Sequence, residues 1–123
     1  MNNSLIGISS ILIPIFNCED VIEDCLLSLA VSNEIIEYDV NLILVNDGST
    51  DKTEKLIRNF IKDNKEKIRI NFICHKKNLG IEKALNSGIR KCKSEYIFRL
   101  DADDKWVEGR LVKSIRKFKE LKW

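Results

Sequence analysis

Short apolar runs alternate along this chain of 123 residues with apolar stripes at helical spacing. These strand-like runs cover residues 8–15, 40–46, 68–74 and 95–100, and in the third of them apolar and polar residues alternate. Each run is bounded by turn residues and predicts a buried strand, and the stripes between the runs predict helices. Strands that alternate with helices favour a mostly parallel sheet. We therefore predict an α/β, Rossmann-like fold with helices on both faces of the sheet, in a single domain over residues 1–123.

The composition agrees with a folded domain that has a mixed surface. Hydrophobic residues make up 44% of the chain, enough for a core, and charged residues make up 33% with a net charge of only +2. Because this balance is not that of a strongly basic protein, we expect no nucleic-acid partner. No basic stretch followed by a long apolar one opens the chain, and no apolar run reaches the roughly 20 residues that span a bilayer.

Basic residues crowd the last helix, and two interpretations of this cluster stay open. They are Arg110, Lys113, Arg116, Lys117, Lys119 and Lys122. The first interpretation is an ordinary solvated face, and the second is peripheral contact with an anionic membrane surface or an acidic partner.

The four cysteines do not have the spacing of a zinc site. No two of them form a C-x-x-C pair, and His75 is the only histidine. We expect Cys25, Cys74 and Cys92 to be small buried apolar residues in a reducing compartment, and Cys18 to lie in a loop.

Carboxylates follow two of the predicted strands. Asp101, Asp103 and Asp104 come after the fourth run, at the strand end where open α/β sheets bind ligands. Three acidic groups this close repel one another, and a divalent cation is the simplest counter-charge. One carboxylate of such a D-x-D pair can bind a ribose while the other holds Mg²⁺ or Mn²⁺; the alternative is an acidic turn that caps the last helix.

Asp47 ends the second run and precedes Gly48. Its carboxylate can accept an N–H from a nucleobase edge, or it can organise the turn as an Asx residue. Phe16 offers an aromatic face beside such a base, or packs in the core. Asn17 is a candidate N-cap for the first helix, and Gly88 permits close packing of the third.

Four ordered segments resemble the N-terminal, nucleotide-binding half of family 2 glycosyltransferases, which have the GT-A fold. The segments are residues 11–17, 44–53, 78–88 and 95–104, and together they cover nearly the whole chain. The resemblance implies a truncated GT-A domain that takes part in metal-dependent transfer of a sugar from a nucleotide-diphospho-sugar. It implies a glycan or lipid-linked acceptor, and transfer that usually inverts the anomeric carbon.

The resemblance also implies roles for individual residues. Asp47 would bind the base, with UDP-sugars favoured as donors, in a pocket lined by Pro14, Phe16 and Asn17. Asp101 would lie near the ribose, Asp103 would bind Mn²⁺ or Mg²⁺, and Asp104 would support it. The catalytic base, typically a carboxylate, is expected beyond Trp123.

Four positions depart from the family pattern. Phe16 replaces a tyrosine, Asn46 an aspartate, Leu85 an arginine and Glu108 a proline.

These expectations leave two functional hypotheses, an enzyme's donor-binding half or a catalytically inactive nucleotide-binding fragment. In either case we expect this chain alone to bind a nucleotide–metal pair and to transfer little sugar. A sugar-nucleotide pyrophosphorylase would need a glycine-rich, arginine-bearing loop where residues 17–20 stand. Acceptors of the family imply a cytoplasmic site at the inner membrane face, and an open sheet edge predicts self-association.

Overall fold

The computed structural model describes residues 3–120, which form a four-stranded parallel sheet covered by helices on both faces. In chain order the elements are a 3-10 turn at Asn3–Leu5, β1 (Ser9–Ile15), α1 (Ile22–Ala30), α2 (Asn33–Glu37), β2 (Asn41–Asp47), α3 (Thr53–Asn64), β3 (Arg69–His75), α4 (Ile81–Lys91), β4 (Tyr96–Arg99) and α5 (Arg110–Glu120). The sheet order is β3-β2-β1-β4, and every neighbouring pair is parallel. The α/β prediction is confirmed, and each strand lies within one residue of its predicted bounds.

The central strand β1 is buried along its whole length because helices cover both of its sides. Ile11, Ile13 and Ile15 belong to the larger core cluster, which includes apolar side chains of α1, α2, α3 and α5. Leu12 points to the opposite face and packs with Ala84 of α4. The alternation of β1 side chains therefore joins two helical layers to one sheet.

Gly88 lets α4 approach β1, as predicted. A Cβ atom at this position would lie 2.1 Å from Cδ1 of Leu12, well inside contact distance. Any larger residue at position 88 would force Leu12 or the helix to move.

The predictions for three residues are wrong, and one helix was not predicted. Asn17 does not cap α1, because its backbone has a φ of 44° and the helix begins five residues later at Ile22. Cys74, on edge strand β3, is exposed, and Cys92, at the end of α4, is half-buried; both were predicted to be buried. The five-residue helix α2 was not predicted, since Ile35 is its only fully buried apolar residue and one residue forms no stripe.

The last helix, α5, buries Leu111 and Ile115 in the larger core cluster. Its predicted basic residues up to Lys119 lie on the described helix, and Lys122 lies outside the described residues.

Candidate functional site at the carboxyl edge of the sheet

The predicted site residues lie along one edge of the sheet. Strand β1 leads to Phe16, β2 ends at Asp47, and β4 leads to the acidic segment that begins at Asp101. Because β1 lies between β2 and β4 and all three run parallel, their carboxyl ends meet at this edge. Ligands of open α/β sheets bind at such an edge.

The carboxylate of Asp47 is nearly buried, with 3% of the residue exposed, and accepts three hydrogen bonds. Its Oδ1 accepts the backbone N–H of Leu79 at 2.9 Å and faces Nδ1 of His75 at 2.8 Å. Its Oδ2 accepts the N–H of Gly80 at 3.0 Å. Burial opposes ionisation of Asp47, but these donors outweigh it and lower the pKa of the carboxyl group. Asp47 therefore fixes the start of α4 while remaining an acceptor.

His75 was missed as a site residue by sequence reasoning. It is the register partner of Asp47 on β3, and its other ring nitrogen, Nε2, lies 2.8 Å from Oγ of Ser87 on α4. An ionised Asp47 can only accept, so Nδ1 of His75 donates to it; in the neutral ring Nε2 then accepts from Ser87. The sequence did hold one sign of this pairing, because Asp47 and His75 each directly follow a predicted strand, the second and the third.

A cleft with a volume of about 280 Å³ opens beside Asp47. It lies between the end of β1 and the first turns of α4, and its lining residues are Pro14, Ile15, Phe16, Asp47, Asn78, Gly80, Ile81 and Ala84. Phe16 is 46% exposed here, so it is not a core residue. The structure therefore brings together Pro14, Phe16 and Asp47, three of the five residues predicted to bind a nucleotide.

Asn17 does not line this cleft and instead joins two loops. Its Oδ1 accepts the N–H of Thr50 at 2.7 Å, and its own N–H donates to Oγ of Ser49 at 2.9 Å. The next residue, Cys18, donates its N–H to Oγ1 of Thr53 at 2.9 Å. The polar residues after β2 thus hold the loop that follows β1.

The acidic loop, residues 101–109 between β4 and α5, lies on the other side of β1. Oδ1 of Asp101 accepts Nε of Arg99 at 2.9 Å, and its carbonyl accepts the N–H of Asp104 at 2.9 Å in a tight turn. Asp103 and Asp104 are exposed. The carbonyl of Asp101 lies 3.8 Å from Sγ of Cys25, so the acidic loop begins against α1.

A second, larger groove of about 580 Å³ lies between α1 and α3 and contains none of the predicted site residues.

Comparison with known proteins identifies the family. Residues 10–122 match the sequence profile of glycosyl transferase family 2. The chain belongs to this family. A teichoic acid poly(glycerol phosphate) polymerase from Staphylococcus epidermidis is 36% identical over 109 residues, which are 89% of this chain and 14% of that protein.

Solved structures of glycosyltransferases share the fold. TarS 1–349 of S. aureus in complex with UDP matches with a TM-score of 0.74 at 23% identity, over 92% of this chain and 32% of that one. A mannosyltransferase of Pyrobaculum calidifontis in complex with GDP-Man and Mn²⁺ gives a TM-score of 0.74 at 21% identity, over 80% and 28%. The GT-A fold of this family 2 chain is thus confirmed. The chain spans less than a third of each of these three proteins.

The family resemblance implies a Mg²⁺ or Mn²⁺ ion, and the carboxylates of the acidic loop suit such an ion. Within residues 3–120, no three His, Cys, Asp or Glu side chains converge so that they could hold a metal ion. Asp103 and Asp104 supply the hard oxygen donors that Mg²⁺ and Mn²⁺ prefer. The donor set therefore fits a cation that takes one or two protein carboxylates and completes its coordination with phosphate oxygens and water.

Across the described part of the chain, no helix is long and apolar enough to cross a bilayer.

Proposed function

We propose that this chain is the donor-binding part of a metal-dependent glycosyltransferase that uses a nucleotide-diphospho-sugar. The observation that carries the proposal is the cleft between Phe16 and Asp47, which opens at the same sheet edge as the acidic loop. A base in the cleft and a diphosphate beside the acidic loop would span the carboxyl end of β1, the position expected of a ligand in this fold class.

Asp47 is assigned to the nucleobase. A carboxylate has about four lone-pair sites, and three are used by His75, Leu79 and Gly80, which leaves one on Oδ2. The lowered pKa keeps this acceptor ionised at neutral pH. An acceptor of this kind suits the ring N–H of uracil or guanine, and Phe16 offers a face on which the base can stack. UDP in TarS and GDP-Man in the mannosyltransferase support these two bases, of which we favour uracil.

Pro14, Asn17 and Asp101 complete the assignment. Pro14 lines the cleft, Asn17 holds the loops beside it, and Asp101 faces the ribose. Oδ1 of Asp101 accepts one hydrogen bond from Arg99, and the remaining lone-pair sites of the carboxylate can accept a ribose hydroxyl.

Asp103 and Asp104 are assigned to the cation, with Asp103 as the principal ligand. A bound Mn²⁺ or Mg²⁺ would neutralise the negative charge that develops on the diphosphate leaving group. We propose a glycan or lipid-linked acceptor, as the family resemblance implies, and a relative named as a teichoic acid poly(glycerol phosphate) polymerase supports a role in polymer synthesis.

Calorimetric titration tests the proposal. UDP and GDP are titrated with and without Mn²⁺ into the wild type, into Asp103→Ala, and into Asp63→Ala as a matched control, because Asp63 is an exposed aspartate on α3. We expect UDP to bind weakly in chelator through its base and more tightly in Mn²⁺. The gain from Mn²⁺ should be lost in Asp103→Ala and kept in the control. Binding that is indifferent to both metal and Asp103, or no binding of either nucleotide, would overturn the proposal.

A further inference from the structure

A buried carboxylate on helix α2 accepts hydrogen bonds from the last residues of the acidic loop and from the start of α5. Glu34 is 5% exposed and accepts four N–H groups from the segment that follows the acidic residues. The donors are Nε1 of Trp106 at 2.9 Å and the backbone N–H groups of Gly109 at 3.0 Å, Leu111 at 3.1 Å and Val112 at 3.2 Å. Three of these four bonds end on one oxygen, Oε2. Glu34 thus accepts hydrogen bonds from the N–H groups at the start of α5, which have no partner within the helix, and also from the indole N–H of Trp106.

A second carboxylate makes the reciprocal connection. Glu108 accepts the N–H groups of Asn33 at 2.7 Å and Glu34 at 3.2 Å, and the O–H of Ser32 at 3.0 Å. Burial opposes ionisation of Glu108, but these donors lower its pKa. Each segment therefore caps the helix of the other: Glu34 caps α5 and Glu108 caps α2.

Trp106 is the residue through which these bonds act on the nearby acidic residues. Its backbone N–H donates to Oγ of Ser28 on α1 at 2.8 Å, and its ring packs edge-on against Phe98 of β4 with centroids 5.7 Å apart. Trp106 follows Asp104 by two residues, so an anchor at Trp106 restricts where Asp103 and Asp104 can lie.

We propose that Glu34 is a positioning residue that holds the acidic loop ready for the cation and the diphosphate. The inference rests on the proposed function of Asp103 and Asp104. If Glu34 loses its acceptor geometry, buried N–H groups are left unsatisfied and the segment around Trp106 loosens. Binding of the cation must then also order the loop, and this cost lowers the affinity. The cleft beside Asp47 lies across β1 and does not use these bonds, so contacts to the base are unaffected.

The substitution Glu34→Gln tests this with little change in volume. A glutamine carbonyl can replace Oε2 and keep three bonds, but its NH₂ group faces the N–H of Val112 where an acceptor stood. Glu37→Gln is the matched control, because Glu37 is exposed on the same helix. Ser28→Ala is a second variant, since it removes the bond to Trp106 without changing a charge.

We measure UDP affinity in Mn²⁺ and in chelator, and the Mn²⁺ concentration for half-maximal UDP binding. We expect Glu34→Gln to weaken UDP binding in Mn²⁺ about tenfold, with less than about twofold change in chelator. Ser28→Ala should act in the same direction and Glu37→Gln should match the wild type. Equal weakening in both conditions would indicate a merely structural role and overturn the inference.

Failure of the inference and failure of the proposed function are distinguishable. A wild type that binds UDP without any Mn²⁺ dependence overturns the proposed function, and this inference with it. A metal-dependent wild type together with an unchanged Glu34→Gln variant overturns the role of Glu34 alone.

Discussion

Gly48, in the turn after Asp47, is the position where a single added methyl group should be most damaging. Its backbone has a φ of 71°, which glycine adopts freely and other residues avoid. A Cβ atom there would lie 2.2 Å from the carbonyl carbon of Lys77 and 2.4 Å from the backbone nitrogen of Asn78. These are backbone atoms of the loop that donates to Asp47, so they cannot rotate away as a side chain would.

The structure separates two contributions to the cost of Gly48→Ala. Left-handed backbone costs an alanine about 1–2 kcal/mol relative to glycine. The overlap with the 77–78 backbone adds about 1–3 kcal/mol, as other overpacking substitutions do. Gly7 provides the control, because its φ is 76° and a Cβ there would have nothing within 4 Å. Gly7→Ala should therefore lose only the free energy that left-handed backbone costs an alanine.

Urea denaturation followed by circular dichroism measures both variants against the wild type. We expect Gly48→Ala to lower the free energy of unfolding by about 2–5 kcal/mol and Gly7→Ala by about 1–2 kcal/mol, with unchanged m-values. Equal losses in the two variants would refute the argument from the close backbone contact.

Three further predictions follow from the described contacts. Glu108 has a folded pKa below its usual value of 4.5, so its contribution to stability is present above that pH and is lost as the pH falls through the folded pKa. Glu108→Gln should therefore lose less stability than the wild type in acid denaturation below about pH 4.5, and parallel curves would contradict this. Burial raises the pKa of Cys74 as well as those of Cys18, to about 11, and Cys25, to about 12, but Cys74 is exposed, so an aromatic disulfide should label it before these two thiols. Cys74→Ser should abolish the fast phase, and fast labelling of Cys25 would count against the packing of α1. Edge strand β4 exposes Ile97 at 45%, so light scattering should detect self-association that Ile97→Lys reduces; a monodisperse wild-type monomer at high concentration would argue against it.

The fold could be predicted from sequence because local and global signals agree. The run that became β1 is apolar from Ile11 to Ile15, as suits a strand covered on both faces, and the helical stripes supply the layers that cover it. The edge strands carried less information. On β3 every residue is exposed or half-buried, so the apolar character of Cys74 gave no sign that its side chain faces solvent.

The hydrogen bonds that Glu34 and Glu108 accept could not be predicted, because their donors are distant in sequence. Glu34 and Trp106 are 72 residues apart, and Glu108 and Asn33 are 75 residues apart. A glutamate on a short helix is most often a solvated residue, and no local pattern distinguishes one that is buried against four donors. His75 had a weak signal, since register pairing with Asp47 requires knowledge of the strand order.

The polar residues of the candidate site differ in how many of their hydrogen-bonding atoms are already used within the protein. Asn17 and Thr53 use their side chains to join loops, and Asp47 uses three of its four acceptor sites to hold His75 and the start of α4. Asp103 and Asp104, in contrast, are exposed on a loop whose anchor points lie on either side of them. A ligand gains most where acceptors are fixed in place and not yet used. We therefore expect substitutions of Asp103 to change ligand binding with little effect on stability, and substitutions of Asp47 to change both together.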